Sequence, residues 1–143
     1  MDYNDSFAIS ATGMAVEKLR LDVAAANLAN MNNSAPSVDK LYRPAAVVAT
    51  ENPLNFSRQF YDLVTGTGGV RGAGVQPMQA APRMVHEPGH PHADDKGYVA
   101  YPGVDHTTQM VNISSALRAY EANVVAMNAA RAMAARTLDI GGQ

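Results

Sequence analysis

Three histidines and two aspartates crowd one short stretch of the chain: His86, His90, His92, Asp94 and Asp95. Imidazole and carboxylate are the ligand types of zinc and similar ions, so a metallohydrolase-type centre is the chemistry such a set would perform. The spacing opposes it. Pro88 and Pro91 bracket the segment, so no helix face collects the rings, and no second histidine cluster exists to complete a site. A hydrophilic turn that carries histidines is the simpler account. Gly66, Gly68, Gly69, Gly72 and Gly74 invite comparison with a phosphate-cradling loop, but no Lys-Ser or Lys-Thr follows them. They read as a turn or hairpin tip. Ser114 and Ser115 have no histidine near them in sequence, and hydroxyls inside helices usually bond back to a carbonyl. No catalytic residue and no cofactor is therefore expected. A small metalloenzyme using His86, His90 and His92 is the competing account from a different class.

The elements around these residues point to assembly. From Met110 the positions Met110, Ile113, Leu117, Tyr120, Val124, Met127, Arg131, Ala134 and Leu138 advance by three and four without a slip, and only Arg131 is charged. Such spacing predicts a helix from about Asp105–Thr108 to about Asp139 whose face wants a partner helix along its length. Gly141-Gly142 stops it. Arg118, Tyr120, Glu121 and Asn123 form its most polar patch, either a solvated face or interhelical hydrogen bonds that set register; Arg131 on the seam needs a partner. Ala116, Ala119, Ala122, Ala126, Ala129 and Ala130 form a second face that permits close helix approach.

Residues 6–31 predict another helix, with Ser6 as N-cap and Gly13 as its weak point. Phe7, Met14, Leu21 and Leu28 form one apolar stripe; Val16, Leu19, Val23 and Ala26 form a second on roughly the opposite side. A monomer's surface helix needs one apolar face, so two imply burial on both sides. Asn27 and Asn30 either fray with the helix end or bond through their amides across a helix interface and fix its register. The expected assembly interface comprises Phe7, Met14, Val16, Leu21, Val23, Asn27, Leu28, Asn30, Met110, Ile113, Leu117, Arg118, Tyr120, Asn123, Val124, Met127, Arg131 and Leu138.

Between the helices, Ala45–Ala49 favours a strand, and Pro53 with Phe56, Phe60, Leu63 and Val64 suggests a short helix over 52–64. Residues 75–86 supply one or two strands, limited to edges by Pro77 and Pro82. Gly97–Tyr101 is extended and closed by Pro102-Gly103. The fold class is thus mainly α with a small β part: terminal helices paired as a coiled coil, in three regions of 1–35, 36–104 and 105–143.

Composition agrees. Hydrophobic residues make up 47% of 143, but aromatics only 6%, with no Trp, and much of the remainder is Ala, which buries little area. A sparse core suggests helices that order fully only on assembly. A net charge of −2 without basic runs argues against nucleic acid and anionic lipid as partners. The absence of Cys excludes disulfides and thiolate metal sites. No stretch approaches the roughly 20 apolar residues of a membrane span, and Met1–Asp5 does not read as a cleavable secretory signal.

The residues also carry a resemblance. Ala26-Asn27-Leu28-Ala29-Asn30 resembles the N-terminal signature of flagellar rod and hook proteins, and Ser115–Val124 resembles their C-terminal one. Glu87-Pro88-Gly89-His90-Pro91, then Ala93-Asp94, Gly97-Tyr98-Val99, Tyr101-Pro102 and Val104-Asp105 are similar to the proximal-rod members of the flagellar basal-body rod protein family. The likeness spans nearly the whole chain. It departs at Asn33-Ser34, where the family often has Thr, and over 51–74, which match poorly. The resemblance implies a structural subunit of the periplasm-spanning drive shaft for motility, exported through the flagellar type III apparatus. It implies contacts with further copies of itself, with neighbouring rod proteins and with the junction protein at the rod base. Another axial subunit, distal-rod or from a second flagellar system, is the alternative within that class.

Overall fold

The computed structural model describes residues 3–50 and 72–141. In order these form helix α1 (Tyr3–Asn30), a single 3-10 turn (Val38–Lys40), strands β1 (Ala45–Thr50), β2 (Gly72–Pro77), β3 (Arg83–His86) and β4 (Tyr98–Tyr101), and helix α2 (His106–Gly141). The mainly helical composition with a small β part agrees with the fold class read from the sequence. The suggested helix over 52–64 lies outside the described residues. So do residues 66–71 of the glycine run, whereas Gly72–Gly74 belong to β2 rather than to a turn.

Two compact units share the chain. One gathers the described parts of Met1–Leu19, Ala49–Gly74 and Ser115–Gln143; the other holds Arg20–Val48 and Val75–Ser114. In the first, α1 and α2 approach at Gly13. A Cβ there would lie 3.0 Å from both Nδ2 and Oδ1 of Asn123. The apparent weak point of α1 is therefore a close-approach site, and the roughly 1 kcal/mol that Gly costs a helix interior goes with it.

In the second unit, β3 and β4 pair antiparallel with Arg83 opposite Tyr101 and His86 opposite Tyr98. β1 and β2 form a separate two-stranded sheet, extended by the Met78 N–H donating to the Pro44 carbonyl at 2.7 Å. Val99 and Pro102 are fully buried, and Leu41 and Ala100 join them. The turn-rich segment 87–97 closes as a series of short bonds: Glu87 N–H to Gly97 O, Asp94 N–H to Tyr98 O, and the N–H groups of Lys96 and Tyr98 to Asp94 Oδ1. Gly97 has φ +78°, the left-handed conformation that a side chain would strain.

α1 starts at Tyr3, so Ser6 lies within its first turn and is not the cap. α2 is capped by Asp105, the residue before its first turn. Asp105 Oδ2 accepts the Thr108 N–H at 2.8 Å and also its hydroxyl. These two bonds hold the Asp105 carboxyl below the usual carboxylate range.

Candidate assembly interface

The most deeply buried line on each long helix is small or polar. On α2 it is Gln109, Ala116 and Ala130, with Asn123 half-buried at the same seven-residue spacing. On α1 it is Ser10, Ala24 and Asn27, with Gly13 on the same line and Val16 beside it. Within the single chain this α2 line, and not the predicted α2 seam, carries the deepest burial. Of the predicted seam, Ile113, Met127 and Ala134 border the buried line, and Tyr120 is 37% exposed. The row Met110, Leu117, Arg131 and Leu138 faces solvent, and only Val124 of that row is half-buried. Arg118 is exposed as well. On α2 the large apolar side chains of the heptad are thus mostly exposed in the single chain, and small or polar ones are buried.

On α1 both apolar stripes flank the small-residue line. Phe7, Met14, Leu21 and Leu28 are all half-buried on one side; Leu19 and Val23 are half-buried and Val16 buried on the other, with Ala26 exposed. The roughly opposed stripes thus flank one buried line of the single chain.

Asn27 is the centre of a polar knot in the second unit, 1% exposed and with every hydrogen-bonding position used. Its Nδ2 donates to the Ala45 carbonyl at 2.8 Å and to Gln109 Oε1 at 3.2 Å. Its Oδ1 accepts the Tyr42 hydroxyl at 2.9 Å and the Ala45 N–H at 3.0 Å. One amide thereby joins α1, the segment before β1, the first residue of β1 and the first turn of α2. Asn27 reaches across to the other helix, but within the chain, and has nothing left to offer a neighbour. Asn30 instead folds back, donating to the Ala26 carbonyl and accepting from Asn33. Asn123 likewise donates to the Ala119 carbonyl of its own helix. Tyr42 and Gln109, unremarked in the sequence, are polar residues that only this arrangement makes important.

The three histidines do not converge on one point; His90 and His92 lie together and His86 apart from them. His86 packs edge-on against Tyr98, with ring centroids 5.1 Å apart. His90 Nδ1 accepts the backbone N–H of His92 at 3.1 Å, so the proton of its neutral ring sits on Nε2, the nitrogen a metal would otherwise use. Among the described residues no group of three or more His, Cys, Asp or Glu lies close enough to hold a metal ion. Beside β3 and β4, Tyr101 donates to Glu87 Oε2 at 3.0 Å, which raises its phenol above the usual range, and Arg83 lies 5.3 Å over its ring. A groove of about 560 Å³ next to the 3-10 turn is lined by Leu41, Tyr42, Pro44, Met78 and Pro82, with Asp39 and Arg43 as its charged groups. That lining holds no nucleophile–base pair. No described helix is long and apolar enough to cross a membrane.

Long helices whose buried lines are small or polar, and whose large apolar side chains lie exposed, suit a structural protein. Residues 95–140 match the model of the flagellar basal body rod FlgEFG protein C-terminal family. Over 94% of its length the chain is 39% identical to the flagellar basal-body rod protein FlgC of Escherichia coli O6:H1, covering 95% of that protein. It is 39% identical over the same shares to the FlgC of Salmonella typhimurium, and 34% identical to that of Bacillus subtilis, covering 95% of the chain and 96% of the relative. The chain belongs to the FlgC family of flagellar basal-body rod proteins. It is a structural component of the rod, placed in the flagellar basal body, and not an enzyme.

Proposed function

We propose that the chain builds the proximal rod, the periplasm-spanning shaft of the flagellum, by packing the outward apolar rows of its terminal helices against neighbouring subunits. The observation that carries this is on α2. Val111, Leu117, Val125, Met133 and Leu138 are between 45% and 77% exposed on a helix of 36 residues. So many large apolar side chains left exposed along one helix support an interaction surface. On α1 the shoulder of Phe7, Met14, Leu21 and Leu28 adds a second half-covered row. Within the chain the two helices pair as a coiled coil along their small-residue lines, which leaves these rows for other copies, neighbouring rod proteins and the junction protein at the rod base. Regions 1–35 and 105–143 form the inner helical layer and 36–104 the small outer domain. Export through the flagellar type III apparatus delivers the subunit. Many distributed helix contacts suit a torque-bearing shaft, because no single contact carries the load.

Leu117→Asp and Val124→Asp test this. Leu117 is 45% exposed in the single chain, so an aspartate there leaves folding intact. In a rod it places an unpaired charge in an apolar interface. The expected outcome is a soluble, helical protein missing from purified basal bodies and a non-swimming strain. Normal swimming of the Leu117→Asp strain would refute the interface.

A further inference from the structure

Ser34 lies in the segment that leaves α1, and its Oγ sits between two imidazoles of the 87–97 loop, 3.4 Å from His90 Nε2 and 3.0 Å from His92 Nδ1. The direction of each bond is fixed by one backbone group. The His92 N–H must donate to His90 Nδ1, so neutral His90 carries its proton on Nε2, which faces Ser34. Ser34 accepts there and donates its own hydrogen to His92 Nδ1. Pro91, between the two histidines, fixes φ and holds the turn in which this relay closes.

We propose that His90, Ser34 and His92 form a proton-sensitive latch, which ties the segment after α1 to the 87–97 loop while both rings are neutral and opens when they take up protons. A proton on His90 Nδ1 meets the His92 N–H head-on, two donors with no acceptor between them. A proton on His92 Nδ1 removes the acceptor of Ser34's hydrogen and leaves both rings donating to one oxygen. Protonation of both sets two cations on rings whose centroids are 5.3 Å apart.

Among the described residues the carboxylates of this loop are bonded elsewhere or exposed, and none is bonded to either ring. Residues 31–37 carry no ionisable side chain, and the adjacent side chains of Asn30 and Asn33 bond to each other. Asp39 and Lys40 of the 3-10 turn are exposed. On the loop, the Glu87 carboxylate accepts Tyr101 and the Asp94 carboxylate accepts two N–H groups; Asp95 and Lys96 are exposed. His86 of β3 is occupied with Tyr98 of β4. Among the described residues neither latch ring is paired with a carboxylate.

The test is NMR on the full chain from about pH 8 to about pH 5, the interval in which histidine side chains titrate. The ring ¹⁵N shifts of His90 at the upper end should show an unprotonated Nδ1 and a protonated Nε2. As the pH falls, the hydrogen-exchange protection of the His92 amide should drop by about tenfold per pH unit below the His90 midpoint. In His90→Asn the side-chain oxygen still accepts the His92 N–H but does not titrate, so protection should stay level. A protonated Nδ1 at pH 8, a level wild-type profile, or a pH-dependent loss that persists in His90→Asn would each overturn the latch. The ring shifts need no variant, so the proposal remains testable if His90→Asn fails to fold.

Discussion

Asn27 and Leu117 stand on the two long helices and are treated in opposite ways. The amide is 1% exposed and saturated with hydrogen bonds; the isobutyl group is 45% exposed. A chain optimised as a lone globule would reverse them, because apolar burial is the main favourable term in folding and a polar group gains little net energy from going inside. The inversion shows how a subunit divides its labour. A buried amide with four partners at fixed geometry specifies which segments meet and in what register, and no apolar residue does that as sharply. The apolar area kept outside is then free to drive contacts that exist only in the assembly.

The strongest way to break this comparison is Asn27→Leu. The substitution leaves the Ala45 N–H and carbonyl, the Tyr42 hydroxyl and the Gln109 amide facing hydrocarbon. With about 1–3 kcal/mol for each buried group left unpaired, a loss of at least about 3 kcal/mol is expected in urea unfolding of the purified chain. Leu117→Ser should cost no more than about 0.5–1 kcal/mol in the same experiment. If the two values came out similar, or in the reverse order, the division between specifying and assembling residues would be lost.

A second test sits where backbone meets backbone. A Cβ at Gly103 would come within 2.2 Å of the Ala81 carbonyl oxygen and 3.2 Å of the Ala80 Cβ. Neither the oxygen nor its carbonyl carbon can rotate away as a flexible side-chain end would. Gly103→Ala should therefore destabilise the chain by about 1–3 kcal/mol, the range for forced overpacking, with a lower urea midpoint and an unchanged slope. Gly89→Ala is the control, because nothing lies within 4 Å of its Cβ position.

The sequence pattern located the elements better than it located their contacts. Expectation and structure differ by a few residues at the ends of α1, because helical periodicity in a long segment is a strong signal. The heptad of α2 was legible, but the line the single chain buries deepest was not, because hydropathy marks where large apolar side chains repeat and is silent about Gln109, Ala116 and Ala130. The role of Asn27 was only half legible. Its amide suggested a register bond, but Gln109 is 82 positions away, and Ala45 contributes backbone that no side-chain pattern reveals. Ser34 and His92, 58 positions apart, were invisible for the same reason. The strand start at Gly72–Gly74 was masked by glycine's turn preference, which pairing with β1 overrides.

The close approach of α1 and α2 in the first unit offers a finer measure. Gly13→Ala adds a better helix former but sets its methyl 3.0 Å from both polar atoms of the Asn123 amide, so the gain and the contact should nearly cancel. In an Asn123→Ala background the contact is gone, and the same change should stabilise the chain by about 0.5–1 kcal/mol. Denaturant unfolding of the four proteins closes the cycle. Zero coupling would mean that Gly13 is not there for helix approach.

The smallest effect expected is at the first turn of α2, and its signature is a pH dependence. The hydroxyl of Thr108, then its N–H, lowers the pKa of Asp105 below the ordinary value of 3.8. A carboxyl with a depressed folded-state value contributes stability that is fully present above its unfolded value and is lost as pH falls through the folded one. Thermal melts followed by helical circular dichroism should therefore place Asp105→Ala slightly below the wild type at neutral pH. That gap should shrink between about pH 5 and pH 2, because the protonated side chain caps less well. A gap that stayed constant across that interval would mean that charge plays no part at this helix end, and that Asp105 shapes the turn through its hydrogen-bond geometry alone.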